Sequence, residues 1–319
     1  MKNVLLILIV FLALSFLFWQ TDQLAYLISP QNLTGGPFFV PSITNEELSS
    51  KYQNAGTDTG KIKILIVPGH EPNLGGTEFG RLVERDLAVD LANEISESFS
   101  ADRHFSVMLA RDKEKWNVEI ESYFNRHKEE IQKWREDHKN EMNRLVLLGL
   151  IDRVVEIEHS SAPKNAALRL YGITKWANEN DIDIILHVHF NDYPRKNLSR
   201  PGLYEGFTIY VPEGQYSNSD VSQKIGRTIF DRLSYISSAS NLPEENGGFV
   251  PDQELIAIGR FNTADSASVL VEYGYIYEKP LGTTETRNLI FEEYAKQTYL
   301  GLKDYFEPGG RNKKELALS

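Results

Sequence analysis

Hydrophobic and polar residues follow two alternating periodicities along the chain, and this alternation predicts an α/β domain. Apolar runs typical of buried strands occur at residues 61–67, 105–109, 182–190, 206–211 and 268–272. Between them, apolar residues recur at helical spacing at residues 80–99, 165–180, 217–237 and 284–306. Strands that alternate with helices usually pair in parallel, so the pattern favours an α/β fold with a mostly parallel sheet flanked by helices.

Residues 113–158 interrupt this rhythm with a charged and strongly helical segment. Its apolar residues fall near one stripe: Trp116, Ile120, Phe124, Ile131, Trp134, Met142 and Leu145. A single helix of ~30 residues would be ~45 Å long. We therefore expect a helical insertion that projects from the domain or folds over it. A solvated amphipathic hairpin, a lid and an arm for a regulatory protein partner all remain open.

The N-terminus predicts a membrane location. Lys2 precedes an unbroken apolar run at residues 4–19, and no clear small-residue cleavage site follows. Residues 1–28 are therefore expected to be an uncleaved signal anchor, with a cleaved signal peptide as the alternative. Residues 29–60 resemble a linker, residues 61–306 the folded domain and residues 307–319 a polar tail. This arrangement places the domain outside the cytoplasm.

Charge and cysteine content narrow the function classes. The 319-residue chain carries a net charge of -11, which argues against nucleic-acid binding because such proteins usually present a basic surface. The absence of cysteine excludes disulfides, thiolate zinc sites and a cysteine nucleophile. Any metal site must therefore use His, Asp and Glu.

Candidate metal ligands occur where strands and helices begin or end. His70 follows the first strand, and ligands of open α/β sheets collect beyond the carboxyl ends of their strands. Glu84 lies on an otherwise apolar helix stripe, where a carboxylate needs a partner or a cation. In the strand at residues 182–190, His187, His189 and Asn191 share one face.

A second carboxylate completes the candidate chemistry. Glu272 ends the buried run at residues 268–272, and burial there should raise its pKa, as a general base near neutrality requires. Two His and one Glu satisfy a catalytic zinc site that keeps a position for water. A further Glu can then take a proton from that water and pass it to a leaving amine.

Several motifs resemble the amidase_3 family of N-acetylmuramoyl-L-alanine amidases over about residues 61–306, apart from the insertion. The opening zinc motif is similar to residues 64–70 with Gly80 and Glu84, and the terminal Val-Leu-Val-Glu-x-Gly motif to residues 268–274. Residues 177–178 and 187–191 occupy the places of the family's Ala-Asn turn and Ser-Ile-His-Ala-Asn strand end. Residues 109–112 resemble its Leu-Thr-Arg-x-x-Asp.

The resemblance implies residue roles and a substrate. His70, Glu84 and His189 would bind Zn²⁺, Glu272 would be the catalytic base and Asn191 would help to position the substrate. It also implies a twisted sheet and hydrolysis of the amide bond between N-acetylmuramic acid and L-alanine in peptidoglycan. His187 stands where the family has Ser. Three roles are open for it: a substrate contact, a partner of the metal ligands or an alternative metal ligand.

The sequence departs from the family pattern in places that leave other functions open. Val67 replaces the family's acidic residue before Pro-Gly-His, and the two glycines after the His are displaced to residues 75–76. A zinc peptidase acting on stem peptides and a catalytically silent envelope-binding scaffold are the alternatives. Some family members carry a regulatory helix that blocks the zinc, a role open to residues 113–158.

Overall fold

The computed structural model describes residues 42–55, 60–155, 157, 159 and 162–308. The helices of this part are α1 (Asn45–Gln53), α2 (Glu84–Ser100), α3 (Val118–Leu147), α4 (Lys164–Glu179), α5 (Ser219–Leu233) and α6 (Thr284–Phe306). Its strands are β1 (Ile62–Pro68), β2 (Glu78–Phe79), β3 (Leu82–Val83), β4 (Phe105–Leu109), β5 (Ile184–Asn191), β6 (Thr208–Pro212), β7 (Phe249–Asp252) and β8 (Ala267–Tyr275).

A six-stranded mixed sheet in the order β4-β1-β5-β8-β6-β7 forms the centre of the domain. All neighbouring strands are parallel except β6 and β8, which are antiparallel. The prediction of a mostly parallel sheet flanked by helices is therefore confirmed. The carboxyl ends of β1, β5 and β8 lie side by side at one edge of this sheet.

Alternation along the strands divides the core into two layers. One face of β5 carries Leu186, Val188 and Phe190, which pack with residues of α1, α2, α5 and α6. The opposite face carries Ile185, which packs with residues of α3 and α4. Residues at i and i+2 of a strand share a face, so His187 and His189 lie on the α3–α4 side, as the sequence predicts.

The helical insertion lies on the body of the domain and does not project from it. Helix α3 contains a break in helical geometry at His127, and its apolar stripe is buried against α4. Gly172 of α4 permits this packing, because a Cβ there would lie 2.9 Å from Phe124 and 3.1 Å from Ile131. The expected 30-residue helix is thus present as α3, with a break in its first half.

Part of the segment expected to be a linker is a packed helix. Helix α1 has a capping box formed by Thr44 and Glu47, and it buries Leu48 and Tyr52 in the core. The folded domain therefore begins before residue 61. The expected signal anchor at residues 1–28 and the tail beyond residue 308 lie outside the described residues. Within the described part, none of the helices combines the length and apolarity needed to cross a membrane.

Candidate metal centre

Three predicted ligands converge at the carboxyl edge of the sheet. His70 leaves the end of β1 with a positive φ of 68°, Glu84 is the first residue of α2, and His189 lies near the end of β5. Each of these residues offers a ligand atom within 4.8 Å of the others. They come from a loop, a helix start and a strand, so only the folded chain brings them together.

The carboxylate of Glu84 brings the ligand atoms of the two histidines together. Glu84 Oε1 lies 3.1 Å from His189 Nδ1, and Glu84 Oε2 lies 2.8 Å from His70 Nε2. His70 Nε2 is buried and makes no hydrogen bond to the described residues, although Glu84 Oε2 lies close to it. Buried polar atoms normally have partners, so an atom left over at a two-His, one-Glu cluster fits a zinc ligand.

Electrostatics favour the metal-binding protonation states of Glu84 and His189. Burial opposes ionisation of Glu84, but His189 and His70 outweigh it and hold the pKa of Glu84 below its ordinary value. Burial lowers the pKa of His189, which favours the neutral imidazole. The backbone N–H of Thr77 also donates to Glu84 Oε2 at 3.0 Å and fixes the carboxylate. Metal ligands must be deprotonated, and this environment provides that form.

The predicted base lies beside the cluster. Glu272 of β8 is the register partner of His189 on β5, so both side chains are on the same face of the sheet. Glu272 Oε2 is buried and has no hydrogen-bond partner among the described residues. Burial raises the pKa of Glu272 well above its ordinary value, and the charges of Glu84 and Glu245 add to the effect.

His187 lies two residues before His189 on the same face, but it is outside the converging cluster. Its imidazole is 2% exposed, and its Nδ1 has no hydrogen-bond partner in the described part of the chain. Burial, with a smaller contribution from His189, lowers the pKa of His187 to about 3. His187 is therefore neutral near pH 7, and it lines the same cleft as His70 and His189.

Arg111 holds together the segments that carry two of the ligands, and the sequence-based site prediction does not include it. Its fully buried guanidinium donates to the backbone carbonyls of Pro68 (3.2 Å) and Gly69, which precede His70. It also donates to the carbonyl of Arg85 (2.9 Å), which follows Glu84. The sequence feature that pointed to Arg111 was the resemblance of residues 109–112 to a family motif.

Gly69 provides the space that His189 needs. A Cβ at this position would lie 2.5 Å from His189 Nδ1 and would overlap the ring. The N–H of Gly69 also donates to the carbonyl of Val188 at 2.8 Å, which joins the His70 loop to β5. A residue with any side chain at position 69 would displace one of the converging histidines.

The cluster opens into a cleft of about 780 Å³ on the α3–α4 side of the sheet. His70 and His189 line it together with apolar residues such as Leu170 and Ile256. The segment before α3 also lines the cleft, where Trp116 Nε1 donates a hydrogen bond to Glu71 Oε2 at 2.8 Å. A cleft of this size, lined by apolar residues and by ionisable side chains such as Arg169 and Arg260, has the form of a ligand-binding site.

Known proteins resemble this chain in both sequence and fold. The sequence model of the Amidase_3 family, described as N-acetylmuramoyl-L-alanine amidase, matches residues 64–303. No curated protein sequence matches the chain.

Solved structures share the fold. Ami1 amidase of Mycobacterium smegmatis is 13% identical, with a TM-score of 0.50, covering 77% of this chain and 97% of its own. CwlD amidase of Clostridioides difficile, solved in complex with the GerS lipoprotein, is 14% identical, with a TM-score of 0.50. The match covers 78% of this chain and 100% of the CwlD chain. Ami1 of Mycobacterium abscessus is also 14% identical, with a TM-score of 0.50, covering 77% and 98%.

Proposed function

The chain belongs to the Amidase_3 family of N-acetylmuramoyl-L-alanine amidases and is a hydrolase that acts on peptidoglycan, and from this premise we propose a zinc-dependent mechanism. His70, Glu84 and His189 hold Zn²⁺, and Glu272 is the general base. The observation that carries the proposal is the convergence of two imidazoles and one carboxylate, whose ligand atoms lie within 4.8 Å of one another, beside Glu272.

The residues of the chain have distinct tasks in this mechanism. When bound, Zn²⁺ lowers the pKa of water to about 7 and polarises the scissile carbonyl. Glu272 accepts a proton from the attacking water and delivers it to the amide nitrogen as the bond between the lactyl carbonyl and L-alanine breaks. The raised pKa of Glu272 suits this exchange, because a base is most effective when its pKa is near the working pH.

The proposal also covers the location of the protein and the regulation of its activity. The apolar run at residues 4–19 supports an N-terminal membrane anchor with the domain outside the cytoplasm. The exposed Leu147 and Leu150, three positions apart at and just beyond the carboxyl end of α3, support contact of the insertion with a regulatory protein. Because the apolar stripe of α3 is part of the core, the test changes only exposed side chains: Leu147→Ser together with Leu150→Ser should alter regulation of the activity in the presence of cell-envelope extract, and an unchanged response would rule out this role.

Two variants separate metal binding from catalysis. Glu84→Ala should lose zinc and activity together, whereas Glu272→Gln should keep about one zinc per chain and lose activity by at least about 100-fold. Zinc is measured by elemental analysis of the purified chain. Activity is measured as release of stem peptides with a free L-alanine N-terminus from purified peptidoglycan.

The products also decide between reaction types. An amidase releases intact stem peptides, whereas a peptidase would release fragments cut within the stem.

A folded wild-type chain that takes up no zinc when offered the metal would contradict the zinc mechanism. Full activity in Glu272→Gln would remove Glu272 from it. The exposed Glu292 on α6 serves as the control, since Glu292→Gln removes a carboxylate remote from the cluster.

A further inference from the structure

Glu245 is a buried carboxylate next to the site that the proposed mechanism does not use. It lies at the end of a short 3₁₀ turn between α5 and β7, and its side chain is 1% exposed. Within the described residues, no basic side chain forms an ion pair with it. Enclosing a carboxylate without a counterion is costly unless several donors surround it, so this residue needs a physical explanation.

The donors around Glu245 come from the strands of the site. Thr208 Oγ1 of β6 donates to Oε2 at 2.7 Å, and Tyr210 OH of the same strand donates to Oε1 at 2.9 Å. Thr208 is the register partner of Glu272, so this contact lies on the face that carries the predicted base. Tyr275 OH contributes a longer contact of 3.4 Å to Oε2.

The remaining donor is the side chain of Asn191. Asn191 Nδ2 donates to Glu245 Oε1 at 2.7 Å, a short contact with a charged acceptor. The backbone carbonyl of Asn191 accepts from the N–H of Ile276 at 2.9 Å, so both the backbone and the side chain are held. Only one orientation of the amide fits, because its carbonyl oxygen would be repelled by the carboxylate. Asn191 Oδ1 is therefore left to accept a hydrogen bond from elsewhere.

We propose that Glu245 is a positioning residue that holds the Asn191 amide so that Oδ1 accepts a hydrogen bond from a peptide N–H of the bound substrate. Asn191 follows the ligand His189 by two residues on β5, which places its side chain next along the same strand. The inference rests on the proposed amidase function for its substrate, but the contact between Glu245 and Asn191 is independent of it.

Kinetics test whether Glu245 acts through Asn191. Glu245→Ala and Asn191→Ala should each lower kcat/KM by about 10-fold, mainly through KM, and the double variant should match Asn191→Ala within about 2-fold. Glu245→Gln keeps an oxygen that accepts from Asn191 Nδ2, so its KM should stay near wild type, whereas loss of the Glu245 charge beside Glu272 should show in kcat. Multiplied losses in the double variant, or wild-type activity in Glu245→Ala, would overturn the proposal.

A control variant separates positioning from a general loss of stability. Ser222→Ala removes a fully buried hydroxyl that accepts from the N–H of Ser268 at 2.9 Å, on the α5 side of the sheet. It should lower the melting temperature and leave kcat/KM unchanged. A fall in kcat/KM comparable to that of Glu245→Ala would show that stability alone explains the effect and would overturn the proposal.

A spectroscopic measurement makes the outcome independent of catalysis. The side-chain amide signal of Asn191, assigned by its disappearance in Asn191→Ala, should exchange with water about 10-fold faster in Glu245→Ala, which removes the acceptor, and should stay close to wild type in Glu245→Gln, which keeps one. Unchanged exchange in a folded Glu245→Ala would overturn the proposal. If the Asn191 amide exchanges faster in Glu245→Ala but the wild-type chain releases no stem peptides from peptidoglycan, the proposed function fails and the positioning contact stands.

Discussion

His189 and Glu272 are register partners on the adjacent parallel strands β5 and β8, so the predicted ligand and the predicted base are placed by the hydrogen bonds of the sheet. His70 and Glu84 depend instead on a loop and on the start of a helix. The half of the site on the sheet is therefore set by strand register. The other half depends on contacts that hold the loop and the helix in place.

Zinc should stabilise the chain through the cluster. A ligand at 100 times its Kd stabilises the folded state by about 2.7 kcal/mol, so added Zn²⁺ should raise the melting temperature of the metal-free chain. Calorimetry with and without Zn²⁺ measures the shift. His70→Ala should abolish it, whereas His104→Ala should preserve it, because His104 bonds to Asp102, away from the cluster. An equal shift in both variants would show that zinc binds elsewhere.

Replacing Arg111 should weaken both the fold and metal binding. Arg111→Lys cannot reproduce the contacts with the carbonyls of Pro68, Gly69 and Arg85, so we expect a loss of about 2–4 kcal/mol in the free energy of unfolding. Urea unfolding and zinc titration check this prediction.

A second arginine variant provides the control for Arg111→Lys. Arg232→Lys disturbs an ion pair with Asp304 between α5 and α6. It should lower stability without changing zinc affinity. Normal zinc affinity in Arg111→Lys would contradict the role assigned to Arg111.

A methyl group at Gly69 should disable the metal site. In Gly69→Ala the new Cβ would overlap the His189 ring, so His189 must move and zinc affinity should fall by at least about 10-fold. Gly214→Ala is the matched control, since no atom lies within 4 Å of a Cβ built there. Isothermal titration with Zn²⁺ compares the two variants. Equal zinc affinities in the two variants would show that the His189 ring moves aside without affecting zinc binding.

Asp265 should make stability depend on pH between about 4 and 6. Burial raises its pKa to about 6, above the value of about 3.9 expected in the unfolded chain. The folded state therefore binds the proton more tightly, and this contribution to stability is complete below pH ~4 and lost as the pH rises through about 6. Asp265→Asn should then be more stable than wild type at pH 7, by about 1–2 kcal/mol given its partial exposure.

Urea unfolding across this pH range measures the effect of Asp265. The exposed Asp152 serves as the control, and Asp152→Asn should follow the wild-type curve. If Asp265→Asn keeps the wild-type pH dependence, Asp265 does not titrate as described.

Among the elements that the sequence missed, β7 and α1 were missed for identifiable reasons. Strand β7 is four residues long, contains Pro251 and pairs only with β6 at the edge of the sheet, where a missing N–H is tolerated. Helix α1 lies within a segment without clear periodicity, and burial of Leu48 and Tyr52 against the core stabilises it. Short elements of this kind depend on tertiary packing more than on local pattern.

Local periodicity was sufficient to place the candidate residues on their elements. The two-residue alternation of β5 puts His187 and His189 on one face, and the helical stripe puts Glu84 on the buried side of α2. These features depend on neighbours within a few residues, so the sequence alone determines them. The family resemblance then implied that His70, Glu84 and His189 bind Zn²⁺ and that Glu272 is the catalytic base.

Only the tertiary structure decided how the site is held. Arg111 reaches the carbonyl of Pro68, 43 positions earlier in the chain, and Glu245 reaches Asn191 across 54 positions. Gly69 looks like any turn glycine until the His189 ring lies against it. Such contacts depend on strand order and loop paths, because residues far apart in sequence meet only after the sheet has assembled. The chemistry of the site can therefore be recognised from local sequence, while its support is a property of the folded chain.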